Sequence, residues 1–414
     1  MSGNLAEYML IDYKGDTKLG KNVDYNGAPA GYTKMPPENI SYVSKHDNQT
    51  LWDNNAYKIA TGTSSADRAR MQSVSLSTVM LGQGIPFIHM SSERLRSKSM
   101  QRDSYDSGDW YNRVLFDRTD NNWNVGLPRE DKDGANWDLI KTIIADPTAK
   151  PDADDIELTK QQFLELLKIR SSSELFRLDT ADEVMKRVDF RNVSEDQIEG
   201  LIVMSIDDGV SAGTDLDPAN DAIVAVVNST NESQSFKITG ATGFTLHDVQ
   251  QNSADDIVKG ASFANESFTV PALTTAVFVQ AQKGAQGAGL PVDNSNKDVS
   301  SIPPYGQTTV YVRGDMNGWN PVDDWAMSFV ANGVYSVTGN LEAGNYGFKF
   351  ADADWKTPNF GCESIELADG SINLGTDGNC QLSVTEAGTY TFTLNAIHEL
   401  DDDVDGPVVS VTKQ

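Results

Sequence analysis

Between residues 283 and 306 the chain runs from Lys283-Gly284-Ala285 to Ser301-Ile302-Pro303-Pro304 through a stretch rich in Gly, Ser, Asn and Pro. A segment of that composition buries too little apolar surface to offset its ordering entropy, so it separates cores instead of joining one. The 414 residues are thereby divided before any element is assigned, and that length suffices for two or three domains. The pattern on the two sides of the linker differs in kind.

Upstream, residues 1–174 mix strands and helices. Residues 1–40 carry turn signals such as Asn26-Gly27 and Met35-Pro36-Pro37 and feed a short strand at 41–45, whose Tyr42 and Val43 are expected to be buried. A helix is predicted from Ser65 to Leu81, with Asp67 as its cap and Met71, Val74 and Val79 on its apolar stripe. Gly82-Gln83-Gly84 ends it, and Ile85-Pro86-Phe87-Ile88 reads as the next buried strand, which completes a βαβ unit. A polar, aromatic loop over 91–137 precedes helices predicted at 137–146 and 157–173. From 175 to 282 the texture becomes β-rich: Val184–Phe190, Gly200–Ile206, Ala222–Asn228, Ser235–Ile238 and Ala276–Gln280 alternate with Asp/Gly/Asn turns, the spacing of an antiparallel sandwich. Beyond the linker, residues 307–414 predict a second, separate sandwich from Thr308–Arg313, Gly333–Thr338, Tyr346–Phe350 and Thr389–Leu394.

Charge narrows the partners. The formal net charge is −27, and residues 300–414 hold 16 Asp and Glu against 4 Lys and Arg. Such a surface repels phosphate, which argues against nucleic acids and anionic membranes but not against a neutral polymer. No apolar run approaches the roughly 20 residues of a membrane span. The first residues lack the charged and apolar regions of a signal peptide. The two cysteines, Cys362 and Cys380, stand 18 positions apart. They are either two free thiols or a bridge, which for a loop of about 15 residues contributes about 3 kcal/mol and fits an oxidising, extracytoplasmic setting. CxxC zinc spacing is absent and His398 is isolated, so no metal site is assigned. The run Glu399-Leu400-Asp401-Asp402-Asp403-Val404-Asp405 offers oxygen ligands for Ca²⁺, but it does not follow the EF-hand pattern, and a solvated turn accounts for it as well.

Three constellations carry chemistry. The first follows Tyr42-Val43 directly: Ser44-Lys45-His46-Asp47-Asn48-Gln49-Thr50-Leu51-Trp52-Asp53. A polar cluster at the carboxyl end of a strand, just before a helix, is the layout of a (β/α) barrel site. The second is Arg94-Leu95-Arg96-Ser97-Lys98-Ser99 with Asp103-Ser104-Tyr105-Asp106-Ser107-Gly108-Asp109-Trp110-Tyr111-Asn112-Arg113. Rings stack on apolar pyranose faces while carboxylate, amide and guanidinium groups bind hydroxyls in fixed directions. The alternative is a solvated loop laced with ion pairs. The third is Val310-Tyr311-Val312-Arg313-Gly314-Asp315-Met316-Asn317-Gly318-Trp319-Asn320, with Trp325 and Trp355 further on. Trp319, Trp325 and Trp355 offer a stacking platform, with Trp319 either part of it or part of the core and Trp325 and Trp355 favoured as its exposed rings. Trp123 reads as an outer sugar contact or a packing anchor, and the lone His89 and His247 as satisfied structural residues.

The string from Tyr42 to Asp53 resembles the His-Asp signature of the α-amylase superfamily, and its extension Asn48–Asp53 is similar to bacterial pullulanases, which cleave α-1,6 branch points. Met1–Tyr8 resembles an internal stretch of those enzymes. The resemblance covers roughly residues 1–290; residues 310–320 resemble the opening of starch-binding β-sandwiches. It implies the C-terminal portion of a (β/α)8 barrel over 1–174, an all-β amylase-type domain over 175–282 and a glycan-binding module over 307–414. It also implies an extracellular, cell-surface or periplasmic setting and an α-glucan as partner. His46 and Asp47 match the pair that stabilises an oxocarbenium-like transition state. Asn48, Tyr105, Asp109, Asn112 and Arg113 match or flank residues that hold glucose. Retaining glycosidases also need a nucleophile and an acid. The acids in residues 1–40 (Glu7, Asp12, Asp16, Asp24 and Glu38) do not stand in a matching context, so the chain is expected to be inactive alone. A non-catalytic glucan-binding fragment and an α-1,4-specific amylase relative are the competing readings.

Overall fold

The computed structural model describes residues 1–116, 120–295, 297–298, 300, 302–362, 364–365, 372–375, 378–396 and 407–414. His398 and the acidic run from Glu399 to Asp405 lie outside the described residues. The chain is mixed α/β with several antiparallel sheets, and it divides into two compact units. The first comprises Met1–Tyr8 and Gly31–Ser295, the second Met9–Ala30 and Asn296–Gln414. The second unit thus takes in an early segment with two hairpins, Met9–Ile11 with Thr17–Leu19 and Asp24–Tyr25 with Ala28–Pro29, which sequence patterning placed with the upstream elements.

In the first unit, Ile40–Ser41 pairs in parallel with Ile85–Pro86, and the helices Leu51–Lys58 and Ser65–Leu81 lie between them in sequence. The predicted helix keeps its bounds. Its cap is Ser64, whose Oγ accepts from the Asp67 N–H at 3.1 Å while donating to the Asp67 carboxylate at 2.7 Å. At its other end the buried Arg170 guanidinium donates to the carbonyls of Met80, Gly82 and Gly84 at 2.7–2.9 Å, satisfying acceptors that the helix leaves open. Gly84 sits at φ +91°, and a Cβ there would meet the Asn39 carbonyl at 2.8 Å, so this turn between helix and strand needs glycine.

The expectation that both strands are buried is corrected. Tyr42 is 51 % exposed and Phe87 53 %, and Ile40, Ile85 and Met90 are exposed too. The parallel pairing extends over two residues per strand, and two strands cannot close on themselves or cover their own faces. Among the described residues these two strands therefore form a small, open parallel pair and no closed barrel. The helices that lie between and after them share a core of Trp52, Ala56, Ala69, Leu95, Met100, Trp123, Ile140 and Ile156. The helices predicted at 137–146 and 157–173 are observed at Trp137–Ile144 and Ala153–Ser172.

The expected strand from Val184 begins later. Residues Ala181–Arg187 are helical, and the strand is Val188–Phe190. Thr180 caps that helix by accepting from the Glu183 N–H; Asp182 and Glu183 lie in its first turn and Lys186 and Arg187 in its last, as the helix dipole favours. Local capping and charge outweigh the β-branched residue at 184. A five-stranded antiparallel sheet then runs in the order Phe244–Leu246, Thr274–Ala281, Asn220–Asn228, Leu201–Asp207, Val188–Phe190. It shares a core, including Val203, Val224, Phe268 and Phe278, with the three-stranded sheet Gln234–Lys237, Ser267–Val270, Ser262–Ala264.

The second unit holds two further antiparallel sheets. In one, Gly344–Ala351 pairs with Tyr311–Gly314, Asn359–Phe360 and Cys380–Val384. The other runs Ser328–Ala331, Val334–Leu341, Gly388–Asn395, Val408–Lys413, Ile372–Asn373. Cys380–Val384 alternates strictly between buried and exposed, the period-2 pattern of a strand with one face in a core. Cys362 and Cys380 are joined in a disulfide, and both are buried among Phe348, Phe350 and Phe392.

Candidate functional site

The strand Ile40–Ser41 ends in the turn that carries the first constellation. Asn48 takes φ +61°, a left-handed conformation that asparagine tolerates better than most residues, and this swings the chain from the strand end into the helix beginning at Leu51. Thr50 caps that helix through the Asp53 N–H. His46 and Asp47 are therefore held between a strand and a helix, with both side chains open to solvent. The Asp47 carboxylate accepts from Lys45 Nζ at 2.8 Å and lies 3.5 Å from His46 Nε2. The Lys45 hydrogen bond, with the charges of His46 and Lys45 behind it, holds Asp47 below the usual carboxylate range. Asp47 is thus an ionised acceptor, the form that binds sugar hydroxyls.

The second constellation lies over residues 91–113. Asp109 opens a single helical turn, Asp109–Asn112, and Arg113 follows directly after it. Asp109, Asn112, Arg113 and Tyr105 are exposed, as are the rings of Trp110 and Phe116. Beneath them the loop is anchored. Asn112 Nδ2 donates to the Ser104 carbonyl at 2.9 Å, and Asn122 Nδ2 donates to the carbonyls of Trp110 and Tyr111 at 2.8 and 3.2 Å. Exposed rings with carboxylate, amide and guanidinium groups on a fixed base can stack on a pyranose and bind its hydroxyls.

The structure joins these two constellations. Lys98 Nζ donates to the His46 carbonyl at 2.8 Å and to Ser104 Oγ at 3.1 Å. The main chain and side chain beside Lys98 are held by Asp53, whose carboxylate accepts from the Lys98 N–H at 2.7 Å and from Ser97 Oγ at 2.5 Å. Burial pushes Asp53 up to about 6. Sequence reasoning placed Lys98 within the second constellation but gave neither it nor Asp53 a role. The alternation Arg94, Arg96, Lys98 between small or apolar residues was the available signal.

The third constellation is revised. Trp325 is 8 % exposed; it packs edge-on against Phe392 and lies where any Cβ on Gly339 would collide with it, which leaves no free ring face for a ligand. The expectation of an exposed Trp325 fails because the short 3₁₀ turn Asp323–Trp325 turns the ring into the hydrophobic core. Trp319, open between a core and a stacking role in the sequence, is half-buried beside Trp355, with centroids 6.2 Å apart and planes tilted by 37°. Trp355 is 37 % exposed, and the Arg313 guanidinium lies 3.5 Å from its ring centroid. Asp315 accepts from Trp319 Nε1 at 3.0 Å and fixes that ring's direction. Trp123 is buried and is a packing anchor. His247 is satisfied by the Val249 N–H and Ser172 Oγ, and His89 bridges Ser44 and Arg96. Among the described residues no group of three or more His, Cys, Asp or Glu side chains could hold a metal, and no helix is long and apolar enough to cross a membrane.

A strand-end His-Asp pair tied to a loop of rings and charges is the layout of a carbohydrate-active protein. Residues 118–281 match the family profile described as alpha-1,6-glucosidases, pullulanase-type, C-terminal. The chain is 47 % identical over 296 residues to a pullulanase of Klebsiella pneumoniae, covering 71 % of this chain and 27 % of that protein. It is 44 % identical over 292 residues to the chloroplastic pullulanase 1 of Arabidopsis thaliana, with 69 % and 30 % covered. The crystal structure of the maltotriose complex of PulA from Klebsiella pneumoniae aligns at a TM-score of 0.68 and 49 % identity, over 70 % of this chain and 32 % of that one. The chain thus carries a pullulanase C-terminal region and belongs to that family of glycoside hydrolases. It spans about a third or less of the length of these relatives.

Proposed function

We propose that the chain is the glucan-holding C-terminal part of a debranching enzyme that hydrolyses α-1,6-glucosidic linkages in pullulan, starch or glycogen by a retaining mechanism. The observation that carries this reading is the Lys98 bridge, which brings the strand-end pair and the aromatic loop into one site. His46 and Asp47 bind hydroxyls more strongly as the sugar ring flattens, which favours the transition state over the ground state. Asp109 and Arg113 grip a glucose unit, with Asn48, Tyr105 and Asn112 beside it. Retention requires two further carboxylates about 5–5.5 Å apart across the scissile bond. None of the acids in residues 1–40 stands in the context of such a pair, so the chain alone is expected to hold glucan without cleaving it. Trp319 and Trp355 hold the polymer on the second unit, and the disulfide suits an extracytoplasmic setting.

The test is reducing-sugar release from pullulan by the purified chain, with pull-down on insoluble starch in parallel. Binding without release is expected. Release above that of an Asp47→Ala control would overturn the claim that the chain is inactive alone. Absence of both binding and release would remove the glucan reading. A second reading, polymer adhesion as the sole function, is favoured by the Trp319–Trp355 pair; it requires that Trp355→Ala abolish all starch binding and that Asp47→Ala and Asp109→Ala change none of it.

A further inference from the structure

Residues 91–100 are built against local preference. Ser91, Leu95, Ser99 and Met100 take φ values of +69°, +59°, +55° and +63°, a region disfavoured for any residue with a Cβ. Four such residues in ten persist only where the surroundings over-determine them. Here they do. Leu95 and Met100 are fully buried in the helical core, Asn121 donates to the Leu95 carbonyl at 2.7 Å, and Ser97 donates its N–H to the Asn121 carbonyl at 2.8 Å. Gln72 donates to the Ser92 carbonyl at 2.6 Å, Ser99 Oγ donates to the Gly126 carbonyl at 2.9 Å, and Asp53 holds Ser97 and Lys98.

This strained path delivers two buried cations to the same gap. Lys98, 1 % exposed, spans from the His46 carbonyl to Ser104 Oγ, and Ser104 Oγ in turn donates to Asn112 Oδ1 at 3.1 Å. Arg96 donates through Nη2 to the Asn112 carbonyl at 2.8 Å and through Nη1 to the Met90 carbonyl at 3.4 Å. Its Nη1 also faces His89 Nε2 at 3.2 Å, while His89 Nδ1 lies 3.1 Å from Ser44 Oγ. A guanidinium only donates, so His89 is neutral, with its proton on Nδ1 directed at Ser44. Burial, with Arg96, Lys98 and His46 facing it, lowers His89 to about 4, in keeping with that tautomer. Lys98 thus links the end of the strand at His46 directly to the turn at Ser104, and Arg96 links the Asn112 carbonyl to Ser44 through His89.

We propose that residues 91–100 form a clamp whose positioning residues, Lys98 first and Arg96 second, set the spacing between the His46–Asp47 pair and the sugar-facing loop 104–113. The proposal deepens the glucan-site reading and rests on it for its consequence in binding, but the clamp itself is a statement about two segments of the chain. Both cations are buried beneath the loop. An ammonium with two fixed acceptors is stiffer than a packed apolar stem, and hydrogen bonds to a charged group are stronger than neutral ones.

Hydrogen–deuterium exchange on the full chain, paired with calorimetric titration of maltotriose, tests this. Lys98→Met keeps the bulk of the stem and removes the ammonium. The expected result is exchange about tenfold faster in both 46–49 and 104–113, no change in the helix Ser65–Leu81, and maltotriose affinity about tenfold lower. Ser104→Ala removes the hydroxyl that accepts from Lys98 and donates to Asn112, and is expected to loosen 105–113 while leaving 46–49 as it was; it carries the test if Lys98→Met also accelerates exchange in Ser65–Leu81, the sign of general unfolding. Unchanged exchange in 104–113 in either folded variant overturns the clamp. Faster exchange there, in a protein whose parent form does not bind maltotriose, supports the clamp and refutes the glucan-site reading instead.

Discussion

The two units place rings and charges in solvent by opposite means. In the first, the exposed groups sit on loops whose geometry is set from below by buried polar contacts: Asp53 holding Ser97 and Lys98, and Lys98 holding His46 and Ser104. In the second, Trp319 and Trp355 sit on loops that follow Tyr311–Gly314 and Gly344–Ala351, strands that contribute Val312, Phe348 and Phe350 to an apolar core, and one guanidinium backs the exposed ring. The first arrangement is directional, and losing one buried partner strands the others. The second depends on flat surfaces, which tolerate small shifts but fail if the core beneath them collapses. One unit is therefore sensitive in its polar interior, the other in its apolar one.

The largest expected effect is on the apolar side. Trp325→Ala should cost the second unit about 3–5 kcal/mol, because it empties a core site against Phe392. Urea unfolding monitored in the second unit reads this, and a loss below 1 kcal/mol would mean that Trp325 is not a core residue. Reducing the Cys362–Cys380 bridge should lower the same transition by about 3 kcal/mol, the value for a closed loop of this size. The first unit should not respond to either change.

A contribution of similar size, but dependent on pH, belongs to the first unit. Asp53 is raised by burial to about 6, above its unfolded value, so the folded state binds its proton more tightly. Between pH 4 and pH 6 the folded form then holds more protons than the unfolded form, and stability falls as pH rises through that window, by up to roughly 3 kcal/mol. Asp53→Asn should flatten this slope; a slope unchanged in that variant would assign it to another group. Smaller still, Trp355→Ala should weaken starch binding by the second unit about tenfold, in line with the loss of one stacking ring, and leave its unfolding midpoint nearly unchanged. The smallest effect concerns the open strand pair. Phe87→Ser should reduce binding of an apolar dye by removing one exposed ring from the patch formed by Ile40, Tyr42, Ile85 and Met90, with little change in stability.

Much of this was legible along the chain. The helix Ser65–Leu81 declared itself through its polar start and its Gly-Gln-Gly stop, and the strands of both all-β regions through alternation between turns. The helix Ala181–Arg187 was missed because Val184 and Val188 mimic a strand, whereas the cap at Thr180 and the charge order along the turn decide the outcome. The burial expected of Tyr42 and Phe87 was misjudged for a different reason: apolar residues in a short run mark a face that favours burial, not a neighbour that supplies it. Trp325 was favoured as exposed over Trp319 because nothing in the spacing of the two tells which ring turns inward.

What the sequence determined by itself was therefore local and chemical. It set where many elements start and stop and which residues carry carboxylates, rings and cations at a strand end, because capping, period and composition act over a few residues. Only the tertiary structure decided which of those groups meet. The contact from Lys98 to His46 spans 52 positions, and that from Arg313 to Trp355 spans 42, and each is fixed by how distant elements pack. A buried ammonium is stable only where its acceptors converge, and that convergence is a property of the packed unit.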